Sequence, residues 1–450
     1  MVIILGGGLS GLTVAYFLSR AERETIVFEA HNVVGGLART VVKNGFRFDL
    51  GGHRFFTKKE KIEDFIKNLM RGELLVVPRK SKIYMSKKYF DYPLKPTNAI
   101  FGLGIPTTLK IVADYSIERL RKVIRPRNNV SLEDWVVSNF GRTMFNIYFK
   151  TYSEKVWGIN CNRISAEWVA QRIKGLSLAT AIKNAFFRFS GKNLPTLADR
   201  FLYPTLGIGR ISERLQEEIN RYNTIQTDTR IEKINHKDFR IESVVVKNCD
   251  GSHTVKGENF VSTIPITTLI NSLDPKPPEE VRRASSSLRY RDLVIATIMI
   301  NRRNVTDQTW IYVPEKEIPF GRIHEPTNWS PKMAPEGKTL LVTEYFCFEG
   351  DQTWSSSDEE ITDVTVHYLE EMGFIRKDEV IDSVIVRVPK AYPILDTEYK
   401  THYNKILEYL QKFKNLYIAG RTGMFKYYNM DHAMESGIEV AERILQNSRP

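Results

Sequence analysis

The amino terminus carries the feature that most restricts what this chain can become. Val2-Ile3-Ile4-Leu5 is a short apolar run that ends in glycines spaced as Gly6-x-Gly8-x-x-Gly11. A continuous apolar run closed by glycine reads as a strand buried on both faces, the pattern of a parallel sheet. Leu12 to Arg20 has helical spacing, and Thr25-Ile26-Val27-Phe28 reads as a second strand. In such a β-α-β unit the first glycine permits a tight turn, the second lets the backbone approach a pyrophosphate, and the third lets helix and sheet pack closely. Phosphates placed there meet free N–H groups and the positive end of the helix dipole. Glu29 closes the second strand, where its carboxylate can accept hydrogen bonds from the ribose hydroxyls of an adenosine half. The pattern predicts a Rossmann-type dinucleotide site touched by Gly6, Gly8, Leu9, Ser10, Gly11, Glu29 and Ala30. A glycine turn without a ligand is the plainer alternative.

With 450 residues the chain is too long for one ordinary core. Its texture changes twice. From about residue 96 to 200 proline is sparse and apolar residues recur at helical spacing: Leu109, Val112, Ala113, Ile117 and Leu120, then Trp168, Ala170 and Ile173. From about 288 to 388 the runs are β-branched, at Leu293 to Ile300, Trp310 to Val313, Thr339 to Tyr345 and Val380 to Val388, broken by one helix near Glu360 to Glu371. The first texture returns at the end, with Leu416-Tyr417-Ile418-Ala419-Gly420 as strand then glycine and Met430 to Gln446 as helix. The expected fold is α/β. A discontinuous Rossmann-type domain takes residues 1–80, 201–265 and 413–450, with a mainly helical insert at 95–200. An antiparallel sheet domain takes 81–94 and 266–412, where a substrate would sit.

The 65 Lys and Arg against 53 Asp and Glu give a net charge of +12. That balance suits nucleic acid, an acidic membrane surface or phosphate-bearing small molecules. No zinc-finger spacing or RNA-binding signature supports nucleic acid as partner. The basic runs Arg119 to Arg127 and Arg79 to Lys88 are broken by apolar residues, so a solvated basic face is the bland reading and attraction of an anionic substrate the functional one. Cys161, Cys249 and Cys347 are far apart in sequence, which argues against a disulfide framework or a metal site and suits a reducing cytoplasm. No apolar run reaches the roughly 18 residues of a transmembrane helix. The stretch from Ala99 to Val112 comes nearest and is interrupted by Gly102, Gly104, Pro106 and Lys110.

Two more glycine-rich segments bear on the ligand. Gly35-Gly36-Leu37-Ala38-Arg39-Thr40 resembles the second flavin-phosphate contact of the amine oxidase and related flavoprotein families, and Ala419-Gly420-Arg421 resembles their closing flavin segment. The resemblance implies FAD in a GR2-like domain, contacted also by Gly36, Leu37, Arg39, Gly420, Arg421, Asn429 and Met430. Further motifs resemble the UDP-galactopyranose mutase family in order along nearly the whole chain. Asp49-Leu50-Gly51-Gly52-His53 is similar to the segment that lies against the isoalloxazine ring. Tyr152-Ser153-Glu154-Lys155-Val156-Trp157-Gly158 is similar to Tyr-Thr-x-Lys-Gln-Trp-Gly, whose Tyr and Trp line the nucleotide and sugar pocket. Pro319-Phe320-Gly321-Arg322-Ile323 resembles Pro-Tyr-Thr-Arg-Ile, whose arginine holds the substrate diphosphate. Tyr392-Pro393-Ile394 and Lys426-Tyr427-Tyr428-Asn429-Met430-Asp431 resemble segments whose tyrosines touch the same diphosphate.

The resemblance implies a flavin-dependent pyranose–furanose mutase acting on a nucleotide-diphosphate sugar. Reduced flavin N5 attacks the anomeric carbon, the diphosphate leaves and returns, and no net redox change results. FAD must then be reduced, by an external reductant such as NAD(P)H. His53 is expected to orient the flavin or stabilise its anionic form, and Arg322, Tyr152, Trp157, Tyr392, Tyr427 and Asn429 to bind substrate. The residue chemistry agrees, because an arginine fork answers a diphosphate with bidentate, charge-assisted bonds and tyrosine offers an O–H beside an apolar flank. Plainer roles stand beside these: Arg322 as a surface ion-pair partner, Trp157 as core and His53 as a structural histidine. The chain departs from the family where a second arginine is expected. Leu176 stands there, with Arg172 or Lys174 as substitutes one turn away. Val294 stands where a further arginine is expected, and Asn429 replaces an aspartate. A rival reading is an FAD-dependent oxidoreductase of the amine oxidase, protoporphyrinogen oxidase or desaturase kind. A third is a non-catalytic flavin-bound scaffold. A homo-oligomer is compatible with any of them.

Overall fold

The computed structural model describes residues 1–92, 104–124, 129–168 and 200–447. Strand β1 (Val2–Leu5), helix α1 (Leu9–Arg20) and strand β2 (Thr25–Phe28) form the expected β-α-β unit. They belong to a five-stranded sheet in the order Leu416–Ile418, Asn259–Ser262, β1, β2, Thr224–Gln226, with every pairing parallel. All four β1 residues are buried, as their apolar run requires when both faces are covered. The strands at 224–226, 259–262 and 416–418 arrive from far along the sequence, so the sheet is assembled from separated pieces. The C-terminal helix Met430–Gln446 lies against α1, and a Cβ on Gly437 would stand 2.6 Å from the Ser10 carbonyl, so only glycine allows that approach.

The β-branched runs build a seven-stranded sheet in the order Val380–Pro393, Tyr290–Ile300, Thr339–Cys347, Arg322–His324, Trp310–Tyr312, Ser81–Met85, Lys88–Asp91. Its pairings are antiparallel except where Trp310–Tyr312 runs parallel to Ser81–Ile83. Tyr290–Ile300 is buried at all 11 positions, which is why its sequence shows a continuous run with no alternation. A four-stranded sheet, Gly251–Lys256, Arg240–Asn248, Arg230–Lys237 and Leu273–Asp274, stands apart. Two strand pairs were not evident in the sequence, Thr40–Lys43 with Phe46–Asp49 and Leu74–Pro78 with Arg200–Pro204.

Several helices lie among the described residues of the region read as a helical insert. Leu132–Phe140 starts at a capping box between Ser131 and Asp134, and a π-helical turn, Phe145–Lys150, runs into helix Thr151–Trp157. Gly158 ends that helix in the left-handed region (φ 65°), and a Cβ there would lie 2.6 Å from the Arg291 guanidinium. Helix Ile105–Ile124 is oriented in a way its periodicity did not suggest. Ile111 and Glu118 are its buried residues, whereas Leu109, Val112, Ile117 and Leu120 are exposed. Among the described residues, no helix is long and apolar enough to cross a membrane, and no group of His, Cys, Asp or Glu could hold a metal ion.

Candidate functional site

The glycine loop between β1 and α1 is built around contacts that exclude side chains. A Cβ on Gly11 would sit 2.0 Å from the Gly6 carbonyl oxygen, and Gly6 itself has φ 106°. Gly8, the residue before α1, differs: its φ is −73° and a Cβ there would meet nothing within 4 Å. The space above Gly8 is thus open to a ligand backed by the first N–H groups of α1, while the rest of the loop is locked. Glu29 is buried. Its Oε2 accepts the Gly7 N–H at 2.8 Å and its Oε1 the His31 N–H at 2.9 Å, which leaves lone pairs for hydroxyl donors.

The other glycine motifs converge on the same loop. Gly35 N–H donates to the Gly7 carbonyl at 2.8 Å, and a Cβ on Gly36 would stand 3.3 Å from the Gly8 Cα. Gly420 is left-handed (φ 83°), and a Cβ there would lie 2.7 Å from the Ser10 hydroxyl. Leu9 and Ser10 are buried, Leu37 and Arg39 half-buried, and Ala30 exposed. Burial lowers the Arg39 guanidinium below its ordinary value, and Glu29 acts against the shift.

The second half of the site centres on Arg322. This residue starts a short strand that pairs with Thr339–Cys347 and faces Glu344 across it. Its Nη1 pairs with the Glu344 carboxylate at 2.9 Å and reaches the Tyr392 hydroxyl at 3.3 Å, while Nε donates to the Tyr152 hydroxyl at 2.9 Å. Its side chain is 14% exposed and that of Glu344 is 0%, so this is an interior ion pair and not the surface one considered above. Burial works against the charge on Arg322, but Tyr152, Glu344, Tyr392 and Tyr427 outweigh it and hold the guanidinium well above its ordinary value. Burial raises the phenols of Tyr152 and Tyr392, with Arg322 opposing. Both are O–H donors at neutral pH.

A second guanidinium completes the arrangement. The Tyr392 and Tyr427 rings stack at 5.8 Å, and Arg421 lies over both, 4.5 and 4.7 Å from their centroids. Its Nε and Nη2 are buried with no hydrogen-bond partner. Trp157 is buried as well, edge-on to Tyr392 at 6.2 Å and to Tyr427 at 5.8 Å, with its indole N–H unpartnered. It is therefore core and site wall at once. The further arginine expected at Val294 is not replaced from the strand at 290–300. Val294 is fully buried, and Arg291 spends its donors on the carbonyls of Val156, Lys155 and Phe346. Arg172 and Lys174 lie outside the described residues. Asn429 is exposed just before the C-terminal helix, and Met430 packs against the main core.

The two halves meet at Gly51-Gly52-His53. Gly51 is left-handed (φ 97°), and the Gly52 N–H donates to Glu344 Oε1 at 2.9 Å. Glu344 thereby ties the loop to Arg322 through one carboxylate. Burial, Arg421 and Arg322 push His53 down to about 4, so its ring is neutral at pH 7 and its buried Nδ1 has no partner. Of the two roles expected of His53, orienting the flavin needs no charge on the ring; the cations beside it are Arg421 and Arg322. Sequence reasoning missed Glu344, whose only signal was one carboxylate inside Leu340-Leu341-Val342-Thr343-Glu344-Tyr345-Phe346. It also missed Lys155, whose terminal nitrogen shares its N–H groups among the carbonyls of Val313, Glu315, Ile318 and Phe320 at 2.7 to 2.9 Å and so holds the loop that delivers Arg322.

These features fit FAD: the open space at Gly8 with the first N–H groups of α1 would receive its pyrophosphate, and Glu29 would accept its ribose hydroxyls. The fold and site define an α/β flavoprotein. The flavin containing amine oxidoreductase family matches residues 9–445, and the chain belongs to that family. Its cofactor is FAD. Among solved structures, a reduced UDP-galactopyranose mutase superposes with a TM-score of 0.84 at 20% identity, covering 99% of this chain and 94% of that one. A putative protoporphyrinogen oxidase from Exiguobacterium reaches 0.73 at 18% identity, covering 99% of each chain. By sequence, coproporphyrinogen III oxidase of Staphylococcus aureus is 20% identical over 99% of this chain and 98% of its own length. The protein is a flavoenzyme of the amine oxidase superfamily.

Proposed function

We propose that this flavoenzyme binds a nucleotide-diphosphate sugar and interconverts its pyranose and furanose forms without net oxidation. One observation carries the reading: two guanidiniums, Arg322 and Arg421, are buried among the hydroxyls and rings of Tyr152, Tyr392 and Tyr427 beside the His53 loop. A departing diphosphate needs fixed donors in a desolvated setting, where they act without reorganising. Arg322 holds one phosphate with its orientation set by Glu344, and the unpartnered Nε and Nη2 of Arg421 are available to the other. Tyr152 and Tyr392 donate O–H groups, and Trp157 with Tyr427 presents an apolar wall to the sugar or base. Reduced FAD supplies the nucleophilic nitrogen for exchange at the anomeric carbon. The chain's own contribution is to keep the leaving group close enough to return.

Porphyrinogen oxidation is the second reading, favoured by the full-length likeness to coproporphyrinogen III oxidase. The two are separated by incubating dithionite-reduced, FAD-loaded protein anaerobically with a panel of uridine and thymidine diphosphate sugars, and oxidised protein aerobically with coproporphyrinogen III. A furanose product of unchanged mass supports the mutase. Coproporphyrin fluorescence with no furanose from any sugar overturns it.

A further inference from the structure

Helix Ile105–Ile124 turns its apolar side away from the protein. Leu109 is 65% exposed, Leu120 63% and Val123 81%, and Val112, Ile117 and Ile124 are exposed beside them. At 3.6 residues per turn these six fall within one arc of roughly 140°. Ser116 lies in the same arc, and its hydroxyl turns back to the Val112 carbonyl at 2.9 Å. The flanks of the arc are basic, with Arg119 on one side and Lys110 and Arg121 on the other. The helix's acidic residues point inward: Asp114 accepts the Thr143 N–H at 3.0 Å, and Glu118 is buried and pairs with Arg121 at 2.7 Å. An apolar stripe edged by cations, with no carboxylate on the same face, is the signature of a helix that lies in a lipid–water interface.

We propose that this helix docks flat on an anionic membrane surface, its leucines entering the acyl boundary and its lysine and arginines reaching the lipid phosphates. Charge decides between a bilayer and a second copy of the chain. Two copies joined through this face would bring Lys110 and Arg119 of each toward those of the other, with Arg121 alone answered, by its own Glu118, whereas anionic lipid answers the exposed cations. The protein's net charge of +12 acts in the same sense. The docking is peripheral, since the helix is too polar to span.

The test uses the full-length, FAD-loaded protein and co-sedimentation with vesicles, either pure phosphatidylcholine or containing about 30% phosphatidylglycerol. Wild type should partition onto the anionic vesicles at least about tenfold more than onto neutral ones and should release as salt rises toward ~1 M, where screening is nearly complete. Leu109→Gln/Leu120→Gln should lower the partition by about tenfold or more while keeping its flavin content. Should that variant misfold, Lys110→Glu/Arg119→Glu must show the same loss. Wild type remaining in the supernatant with anionic vesicles overturns the proposal. So does a lipid-free dimer in sedimentation velocity that either variant converts to monomer, because a second copy then covers the face.

Discussion

Replacing Arg322 by methionine tests the site through stability and binding together. The substitution keeps an unbranched apolar stem and removes the partner of a carboxylate that is 0% exposed. Glu344 then retains the Gly52 N–H at 2.9 Å as its remaining hydrogen-bond donor, and the hydroxyls of Tyr152 and Tyr392 lose a cation at 2.9 and 3.3 Å. Breaking a buried pair and leaving one charge behind costs about 3–5 kcal/mol. Adding Glu344→Gln removes the lone charge but still accepts the Gly52 N–H, so about 2–3 kcal/mol should return and the cycle should be strongly non-additive. Urea denaturation of the flavin-loaded proteins measures this through the midpoint and slope. The same variant should weaken UDP, read from the flavin absorbance, by roughly 2–5 kcal/mol, because a buried phosphate partner is lost. Wild-type stability and UDP affinity in Arg322→Met would refute the reasoning, as would a double variant weaker than the single.

The glycine loop gives a paired prediction: Gly8→Ala should fold and lose FAD affinity by more than tenfold, since its Cβ meets nothing in the protein but faces the pyrophosphate, whereas Gly11→Ala should fold poorly because its Cβ lands 2.0 Å from the Gly6 oxygen. Flavin absorbance after gel filtration reads the first and circular dichroism the second. Burial pushes His324, whose ring lies near-parallel to those of Trp310 and Trp329, down to about 3. Because the unfolded chain binds that proton near pH 6.5 and the folded chain does not, stability should fall as pH drops from 6.5 toward 4.5, and His324→Phe should lessen that fall by roughly 2 kcal/mol. Lys155→Met should strip four carbonyls of their shared donor, loosen the loop before Arg322 and raise the dissociation constant of UDP while FAD stays bound.

The parts of the fold that could be read from the residues were those written in contiguous sequence. β1, α1, β2 and Glu29 are local, and the glycines of the first motif fall at the spacing the turn requires, with Gly6 and Gly11 sterically fixed. The Arg322 cluster was anticipated through motif resemblance, since Tyr152, Arg322, Tyr392 and Tyr427 come from four distant segments and nothing local marks their meeting. Glu344 was hidden because all nine residues of its strand are buried, which removes the alternation that would have assigned it a face. The helical spacing of Leu109, Val112, Ile117 and Leu120 falls on the helix at 105–124, yet periodicity gives the angle of an apolar stripe and not what the stripe faces. The hairpin Thr40–Lys43 with Phe46–Asp49 lacks the continuous apolar run that marks the equally short β1, so its sequence does not announce it.

The proposed function requires a diphosphate seated between Arg322, Arg421 and the tyrosines at the flavin edge. Titrating the FAD-loaded protein with UDP and with uridine, and following the flavin band, addresses that most directly. UDP should give a saturable spectral shift that weakens in Arg322→Met, and uridine should give none at the same concentrations. Equal responses to both, or a UDP response untouched by the loss of Arg322, would contradict it.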